Sequence, residues 1–506
     1  MPQSYVKKIL ESRVYDVARE TPIDHARLLS ERLDNRVLIK REDLQPVFSF
    51  KLRGAYNKLS RLSDEQRERG VIAASAGNHA QGLAYAANRL GVKATIVMPL
   101  TTPGIKVQGV KSHGAKVVLH GDTFDEASAY AQNLVEERSL TYVPPYDDPD
   151  VIAGQGTVGM EIVRQHPDPI EAIFVPVGGG GLLAGIAAYV KYVRPDIKLI
   201  GVEPEDAACL AAAMAKGRRV KLKEVGIFAD GVAVAQIGKE PFRIVREIVD
   251  EVITASTDEM CAAIKDMFED TRSIAEPAGA IALAGLKKYV ENTGVSGKTL
   301  LAIHSGANTN FDRLRYISER TEIGEKREIV LSVAIPERPG SFKAFCAALG
   351  KRSITEFNYR YAGRTVDAHI FVGVKVAEGY AQADEVIAPL REQGYDVVDM
   401  TNNELAKLHV RHMVGGTTPN SLVNERVFRV EFPERPGALM NFLNKLGKRW
   451  NISLFHYRSH GAAYGRVLVG LQIDDSEHAD VLAALRRTEY RFWEETENPA
   501  YQMYLG

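Results

Sequence analysis

The chain of 506 residues is predicted to have an α/β fold built on parallel sheets, followed by two small α+β modules. Two observations lead to this prediction. Between residues 70 and 205, short β-rich segments alternate with helical ones, which is typical of βαβ units with helices on both faces of a sheet. Towards the C-terminus, one segment of the chain occurs twice, which indicates two related modules.

The alternation can be followed segment by segment. The expected strands are VIAAS (71–75), ATIVMP (94–99), KVVLH (116–120), AIFVPV (172–177), KLIGVE (198–203) and LLAIHSG (300–306). The expected helices include NHAQGLAYAANRL (78–90), GIKVQGVKSHG (104–114) and a segment from about 122 to 138. Because the strands are short, apolar and separated by helices, they are expected to pair in parallel.

The duplicated segment lies beyond residue 328. PERPGSFKAFCAALGKRSITEFNYRYAG (336–363) matches PERPGALMNFLNKLGKRWNISLFHYRSHG (433–461). Each copy is predicted to contain a strand, a PERPG turn, an amphipathic helix and a second strand. The charged segment TEIGEKRE (321–328) has no apolar periodicity and is predicted to be a linker. The expected division is a catalytic region at 1–320, the linker at 321–328, and modules at 329–402 and 425–500.

Composition excludes several classes of protein. Hydrophobic residues make up 45% and charged residues 25% of the chain, and the net charge is -1, which argues against a general electrostatic grip on nucleic acid or membrane. The three cysteines form no CxxC pair, so a reducing cytoplasm is expected and a disulfide framework or zinc site is not. The N-terminal residues contain no apolar signal core. The long uncharged run 173–190 is interrupted by four glycines and is predicted to be a strand, a turn and a helix.

Two short segments carry nucleophilic or hydroxyl chemistry. In SFKLRGA (49–55), Lys51 lies among small and apolar residues, where desolvation lowers the pKa of an amine and favours a Schiff-base nucleophile. Taken alone, the segment is also compatible with an ordinary solvated lysine. In HSGAN (304–308), Ser305 follows a predicted strand, and ligands of open α/β sheets bind at such ends. The alternative is a simple serine-glycine turn.

Two further segments are suited to anions. SAGNHAQG (75–82) joins a strand to a helix, and the free N–H groups of the helix start favour a carboxylate, although capping by Ser75 or Asn78 would also explain it. GGGGL (178–182) lets the backbone approach an anion closely at a helix start and is predicted to hold a phosphate. It lacks both the GK[ST] of a P-loop and the spacing of a dinucleotide site.

Together these segments resemble the fold-type II pyridoxal-phosphate family and, within it, the biosynthetic threonine deaminases. The resemblance covers nearly the whole chain and implies two open parallel-sheet domains followed by two ACT-like modules. It implies pyridoxal 5'-phosphate as cofactor. The implied cofactor-binding residues are Phe50, Lys51, Asn78, Gly178, Gly179, Gly180, Gly181, Leu182 and Ser305, and the implied substrate-binding residues are Ser75, Ala76, Gly77, Asn78 and His79.

The same resemblance assigns individual roles. Lys51 and Ser305 are the implied catalytic residues: Lys51 attaches the cofactor and removes the α-proton, and Ser305 contacts the pyridine nitrogen. Phe50 would line the ring and Asn78 would bond its phenolic oxygen. The segment EPAGA (276–280) also matches the family, and Glu276 would lie near the ring without contacting it directly. A hydroxyl at the pyridine nitrogen, where many such enzymes have a carboxylate, makes the ring a weaker electron sink.

The implied reaction is the dehydration and deamination of L-threonine to 2-oxobutanoate and ammonia, the committed step of isoleucine biosynthesis, with serine as a secondary substrate. The ACT-like modules imply inhibition by isoleucine, opposed by valine, with Tyr359 and Tyr457 at equivalent positions as effector contacts. A cytoplasmic homotetramer is implied as well. Some relatives bind a divalent cation near 201–210, but here Glu203 is accompanied by Cys209 where an aspartate is expected, so no metal is predicted.

Several alternatives remain. A serine deaminase, serine racemase or cysteine synthase would share the catalytic fold, but the duplicated modules and SFKLRGA argue against them. A non-catalytic amino-acid sensor is disfavoured by Lys51 and the intact glycine segment, and a nucleotide-binding oxidoreductase by the missing dinucleotide spacing. The modules could also serve only to join subunits.

Overall fold

A computed structural model describes residues 2–311, 313–336, 338–350, 352–360, 367–376, 383–408, 410–412, 424–433, 438–447, 449–458, 464–499, 501 and 505. The chain forms two compact units, Met1–Thr321 and Glu322–Gly506. The helices of the first unit are α1 (Pro2–Leu10), α2 (Arg27–Leu33), α3 (Lys51–Ser60), α4 (Asp64–Arg69), α5 (Asn78–Arg89), α6 (Gly104–Ser112), α7 (Phe124–Arg138), α8 (Pro149–Gln165), α9 (Gly181–Val193), α10 (Cys209–Lys216), α11 (Lys239–Ile248), α12 (Thr257–Thr271) and α13 (Pro277–Thr293). Its strands are β1 (Ile23–His25), β2 (Arg36–Arg41), β3 (Val71–Ala74), β4 (Ala94–Met98), β5 (Lys116–Leu119), β6 (Thr141–Tyr142), β7 (Ala172–Pro176), β8 (Lys198–Pro204), β9 (Glu251–Ala255) and β10 (Thr299–His304).

The larger sheet of the first unit has six strands in the order β1-β2-β10-β7-β8-β9. All neighbours pair in parallel except β1, which is antiparallel to β2 at the edge. Strand β7 is buried on both faces: Ile173 and Val175 pack with residues of α8 and α9, whereas Ala172 and Phe174 pack with residues of α12 and α13. Its continuous apolar sequence is therefore that of a parallel strand covered on both sides.

The smaller sheet has four parallel strands in the order β5-β4-β3-β6. Along β3, Val71 and Ala73 pack with α3 and α5, whereas Ile72 and Ala74 pack with α7. The two sheets confirm the predicted parallel α/β architecture, and each strand expected from the alternation is present within one or two residues of its predicted bounds.

The second unit is built on an antiparallel sheet. Its strands are β11 (Glu328–Pro336), β12 (Ile354–Arg360), β13 (Asp367–Lys375), β14 (Asp396–Asp399), β15 (Glu425–Pro433), β16 (Asn451–Arg458), β17 (Tyr464–Gln472) and β18 (Arg491–Glu494). Its helices are α15 (Ser341–Leu349), α16 (Ala383–Glu392), α17 (Glu404–Leu408), α18 (Ala438–Leu446) and α19 (His478–Arg487), and α14 (Arg313–Gly324) crosses the boundary between the units.

Each module has the order β-α-β-β-α-β, and the two share one sheet of eight strands, β14-β11-β13-β12-β16-β17-β15-β18. The modules join where β12 pairs with β16 in antiparallel register, with Asn358 opposite His456. Equivalent strands of the two copies are therefore related by an approximate two-fold axis at this pair. Two α+β modules were expected, but the continuous sheet could not be inferred from the repeat.

The segment 321–328 differs from the expected linker. Helix α14 extends to Gly324 and β11 begins at Glu328, so only residues 325–327 lie between them. Glutamate and arginine are good helix formers, and a turn that buries a single apolar residue, here Ile323, produces no visible periodicity. Within the described residues, no helix is both long and apolar enough to cross a membrane.

Candidate active site

The four segments singled out in the sequence meet at one cleft in the first unit. Lys51, Asn78 and Gly181 are the first residues of α3, α5 and α9, and Ser305 directly follows β10. The cleft has a volume of about 940 Å³. Its lining includes Lys51, Ser75, Ala76, Gly77, Asn78, His79, Gly179 and Glu276. An adjoining recess is lined by Phe50, Lys51, Asn78, Gly178, Gly179, Gly180, Gly181, Leu182, Glu276 and Ser305. All site residues expected in the first unit are thus brought together.

Lys51 is placed for use as a neutral amine. Its Nζ donates a hydrogen bond to the carbonyl oxygen of Pro145 at 3.0 Å and lies 5.2 Å from the centre of the Phe50 ring. Burial lowers the pKa of Lys51 to about 8, although the nearby Glu276 carboxylate acts in the opposite direction. A larger fraction of this amine is therefore neutral near physiological pH than for a solvated lysine.

The segments that carry Lys51 and Ser305 are tied together by their backbones. The N–H of Phe50 donates to the carbonyl of Ser305 at 3.3 Å, and the N–H of Ala307 donates to the carbonyl of Phe48 at 2.9 Å. The Ser305 hydroxyl is buried and donates to the carbonyl of Ala278 at 3.1 Å. Since a hydroxyl has one proton, this O–H has to rotate away from Ala278 to donate to a ligand in the recess.

An amide and a carboxylate form a second contact pair across the cleft. The Nδ2 of Asn78 donates to Oε1 of Glu276 at 2.5 Å, and its Oδ1 accepts from Nδ2 of Asn308 at 2.8 Å. Burial raises the pKa of Glu276 to about 7, with a further contribution from Asp230. Asn78 is therefore held in one orientation and keeps a second amide hydrogen for a ligand.

Neighbouring side chains pack closely against the glycine segment. Gly180 has φ +88°, a left-handed conformation that favours glycine. A Cβ on Gly179 would lie 2.1 Å from the ring of Tyr146, and one on Gly180 would lie 2.5 Å from the side chain of Ile237. Helix α9 begins here with no acidic residue in its first turn, so its N–H groups can attract an anion. Tyr146 at this position was not anticipated from the sequence.

The segment 75–79 forms the turn that leads into α5. The N–H of Gly77 donates to the Ser75 hydroxyl at 3.3 Å, which shapes the turn before α5. The imidazole of His79 contacts the Val143 carbonyl at 2.9 Å, and burial lowers its pKa to about 3. His79 is therefore neutral, and its ring is occupied by a structural contact.

The structure contains a buried group of four charged residues that was not predicted from the sequence: Lys40, Glu42, Arg53 and Glu161. Arg53 donates to Glu42 at 2.7 and 2.8 Å and to Glu161 at 2.6 and 3.0 Å, and Lys40 donates to Glu161 at 2.6 Å. Although burial alone would raise the pKa of Glu42, Arg53 holds it below its usual range. The arrangement links α3 to β2 and α8.

Glu203 and Cys209, near which no metal is predicted, both form hydrogen bonds within the protein. The carboxylate of Glu203 accepts from the N–H groups of Leu210 and Ala211 at 2.7 and 2.8 Å and so caps α10. Sγ of Cys209 lies 3.5 Å from the carbonyl oxygen of Gly178. Glu203 therefore stabilises the start of α10, and Cys209 connects this helix to the edge of the glycine segment.

In the second unit, the two tyrosines lie on the helix side of the sheet. Tyr359 and Tyr457 are 3% and 4% exposed, and their strands are adjacent. A small pocket beside Tyr359 is lined by residues of both modules, among them Ser341 at the start of α15 and Trp450 before β16. In the two PERPG turns, Glu337 and residues 434–437 lie outside the described part of the chain.

Two family models match the chain. The model described as "Pyridoxal-phosphate dependent enzyme" matches residues 14–306, and "C-terminal regulatory domain of Threonine dehydratase" matches 319–410 and 419–505. The biosynthetic L-threonine dehydratase IlvA of Burkholderia multivorans is 56% identical over 505 residues, covering 99% of each chain. The corresponding Escherichia coli protein is 53% identical over 502 residues, covering 99% of this chain and 97% of its own.

Solved structures agree with these relatives. The processed form of threonine deaminase isoform 2 from Solanum lycopersicum superposes with a TM-score of 0.62 at 51% identity, covering 63% of this chain and 93% of that one. A maize serine racemase superposes with a TM-score of 0.59 at 30% identity, covering 62% and 95%. The identity to threonine dehydratases over nearly the full chain and the matched regulatory domain favour the threonine deaminase over the serine racemase as a guide to the family. The chain therefore belongs to the biosynthetic threonine dehydratase family of pyridoxal-phosphate-dependent enzymes.

Proposed function

We propose that this chain is an ammonia-lyase that converts L-threonine to 2-oxobutanoate and ammonia in isoleucine biosynthesis, with serine as a secondary substrate. The observation that carries the proposal is the single cleft in which Lys51, with its lowered pKa, faces the glycine segment and Ser305. The relatives named threonine dehydratase match from end to end, which favours this function over a serine-specific enzyme or a sensor.

The residues of the cleft fit pyridoxal 5'-phosphate. The amine of Lys51 would hold it covalently, the N–H groups at the start of α9 would hold its phosphate, and Ser305 would donate to its ring nitrogen. Phe50 lies beside Lys51 where it can line the ring, and Asn78 has an amide hydrogen for the phenolic oxygen. When bound, the cofactor supplies an electron sink for the bond broken at the substrate α-carbon.

The chain's own residues account for removal of the α-proton, binding of the substrate carboxylate and orientation of Asn78. Lys51 Nζ is the base for the proton on the substrate α-carbon, since its lowered pKa leaves more of the amine neutral. The backbone N–H groups at the start of α5 and the Ser75 hydroxyl bind the substrate carboxylate. Glu276 holds a proton near neutral pH and fixes Asn78.

Ser305 would place an uncharged hydroxyl, and no carboxylate, at the ring nitrogen. A hydroxyl donates a hydrogen bond without placing a negative charge beside the ring nitrogen, so the nitrogen is not driven to bind a proton. The ring then withdraws electrons less strongly, which favours prompt loss of the β-hydroxyl over side reactions. The catalytic region assigned to these residues is 1–320.

We also propose that the modules at 329–402 and 425–500 bind the effectors isoleucine, as inhibitor, and valine, as its antagonist. Support comes from the small pocket beside Tyr359, which combines an aromatic wall with the start of α15. Tyr457 occupies the related position in the second copy. We further propose that the enzyme is a homotetramer in the cytoplasm.

The proposed reaction is tested by incubating the purified chain with pyridoxal phosphate and threonine and measuring 2-oxobutanoate and ammonia. Both products are expected in equal amounts, with slower release of pyruvate from serine. Racemised amino acid without 2-oxoacid would favour a racemase, and binding of threonine without any product would favour a sensor. Either of these results would overturn the proposed function.

A further inference from the structure

A cation in the wall of the cleft lies outside all the segments discussed so far. Arg219 lines the cleft, where its Nε donates to the carbonyl of Ile237 at 2.7 Å and its Nη2 donates to Oε1 of Gln236 at 3.0 Å. Both acceptors are neutral. Among the residues that the structure describes, no carboxylate forms an ion pair with Arg219, so the charge of this guanidinium is not neutralised by its protein contacts.

The residues that hold Arg219 are the ones that enclose the glycine segment. The N–H of Gly238 donates to the carbonyl of Gly179 at 3.1 Å, and the side chain of Ile237 occupies the space next to Gly180. Arg219 is thus connected to the glycine segment through Ile237 and Gly238. Gly179 and Arg219 both line the same cleft, so the guanidinium and the glycine backbone are accessible from one space.

The acidic residue that adjoins this wall is already occupied. Asp147 directs its two carboxylate oxygens to the N–H groups of Lys239 and Glu240, at 2.8 and 2.9 Å, and caps α11. The glycine segment itself contains no basic side chain, and the basic residue of α9 is Lys191 in its last turn. Arg219 therefore adds a full positive charge to the wall of the cleft that Gly179 also lines.

We infer that Arg219 is a further cofactor-binding residue, which supplies positive charge to the phosphate held at the glycine segment. A phosphate monoester carries between one and two negative charges at neutral pH, and guanidinium groups bind such oxygens strongly. Arg219 has N–H groups beyond the two that its protein acceptors use. The inference rests on the proposed use of pyridoxal phosphate. The carboxylate of the substrate has the same chemistry and is the competing source of the anion.

The test compares binding of pyridoxal phosphate with binding of pyridoxal, which lacks the phosphate. Cofactor is removed from the full chain, and each compound is titrated back while its absorbance and its own fluorescence are recorded. Arg219→Gln is expected to weaken binding of pyridoxal phosphate about tenfold or more and to leave pyridoxal binding unchanged. Arg219→Lys, which keeps the charge but loses the fork of N–H groups, is expected to recover part of the affinity.

Arg218→Gln is the matched control, because it removes the same charge from an exposed neighbour. It is expected to bind both compounds like the unmodified chain. Circular dichroism melts of all variants identify any loss of folding, and Arg219→Lys keeps the test decisive if Arg219→Gln is unstable.

Three results would overturn the inference and leave the proposed function intact. Equal affinity of the unmodified chain and Arg219→Gln for pyridoxal phosphate would remove Arg219 from the site. Equal weakening for pyridoxal would show that the phosphate is not what Arg219 contacts. An unchanged cofactor affinity with a raised KM for threonine would assign Arg219 to the substrate carboxylate. Failure of the unmodified chain to bind pyridoxal phosphate at all would instead overturn the proposed function, and the inference with it.

Discussion

Nδ2 of Asn78 donates a hydrogen bond of 2.5 Å to Oε1 of Glu276, although the two residues lie 198 positions apart in the chain. The bond joins the first residue of α5 to the residue before α13, and both line the recess beside Lys51. A carboxylate that would normally face water at the start of a helix is here 4% exposed. Its ionisation is therefore coupled to both the stability of the fold and the orientation of Asn78.

Glu276→Gln is expected to change the pH dependence of stability. The pKa of Glu276 is about 7 in the folded chain and about 4.5 when unfolded, so the folded state binds the proton more tightly. Ionisation of Glu276 therefore costs no stability below about pH 4.5. The cost grows between about pH 4.5 and pH 7 and stays constant above pH 7. Urea titrations should show that the stability gained by Glu276→Gln, relative to the unmodified chain, is about 1–3 kcal/mol larger at pH 8 than at pH 5. A gain of equal size at both pH values would contradict the raised pKa.

Lys51→Ala is expected to abolish 2-oxobutanoate release while the protein stays folded. The small side chain removes both the attachment point for the cofactor and the base for the α-proton. Borohydride reduction followed by mass spectrometry should find the pyridoxyl group on residue 51 of the unmodified chain and no such adduct in the variant. Lys111→Ala, at an exposed position on α6, is the control and should behave like the unmodified chain. Normal turnover by Lys51→Ala would refute the proposed site.

The sequence predicted the parts of this site better than their surroundings. Lys51, the glycine segment and Ser305 could be found because each lies at the end of a strand or the start of a helix, where the local pattern changes. Parallel strands such as β7 could be recognised because burial on both faces leaves a continuous apolar run. In both cases the signal lies within a few neighbouring residues.

What could not be predicted depends on contacts between distant parts of the chain. Arg53 and Glu161 look like surface residues of helices, and only the folded chain brings them together over 108 positions. Tyr146 lies in a loop with no distinctive pattern, and its contact with Gly179 is purely spatial. The sheet shared by the two modules depends on the pairing of β12 with β16, which the duplication alone does not specify.

Ser305→Ala is expected to lower kcat/KM modestly. The expected loss of transition-state stabilisation is about 0.5–1.5 kcal/mol, the range for one neutral hydrogen bond. Ser305→Asp should have a larger effect, because a carboxylate favours protonation of the ring nitrogen and strengthens the electron sink. The aspartate variant should eliminate more slowly and show new absorbance at longer wavelength with threonine. Unchanged rates and spectra in both variants would show that Ser305 does not contact the nitrogen.

Isoleucine is expected to raise the threonine concentration for half-maximal rate about 5- to 150-fold, and valine should reverse the shift. Tyr359→Phe is a more specific probe of the pocket than Tyr359→Ala. The Tyr359 ring centre lies 5.6 Å from that of Phe342, so an alanine would leave a cavity, whereas a phenylalanine removes only the hydroxyl. The phenylalanine variant should respond less to isoleucine, with the cofactor spectrum unchanged. Initial rates over a range of threonine, with and without each effector, measure the shift. An intact enzyme that ignores millimolar isoleucine and valine would favour modules that only join subunits.

Arg53→Met is expected to destabilise the first unit strongly. Lys40, Glu42, Arg53 and Glu161 are fully buried and together carry no net charge. Without Arg53, Lys40 still contacts Glu161, but Glu42 loses its contacting cation and keeps only neutral donors such as the hydroxyl of Thr21. An uncompensated buried carboxylate typically costs about 3–5 kcal/mol, which exceeds the packing loss from a residue of similar volume.

The explanation from charge can be separated from loss of packing by a second variant. Adding Glu42→Gln to Arg53→Met removes the stranded charge, so the double variant should recover part of the stability lost by the single one. Arg69→Met, at an exposed position, is the control and should change the free energy of unfolding by about 0.5 kcal/mol or less. Urea titrations of all three variants measure these differences. Because Arg53 lies two positions after Lys51 on α3, any folded Arg53→Met should also show a lower kcat. A double variant no more stable than Arg53→Met would show that side-chain packing, and not the balance of charge, is what Arg53 supplies.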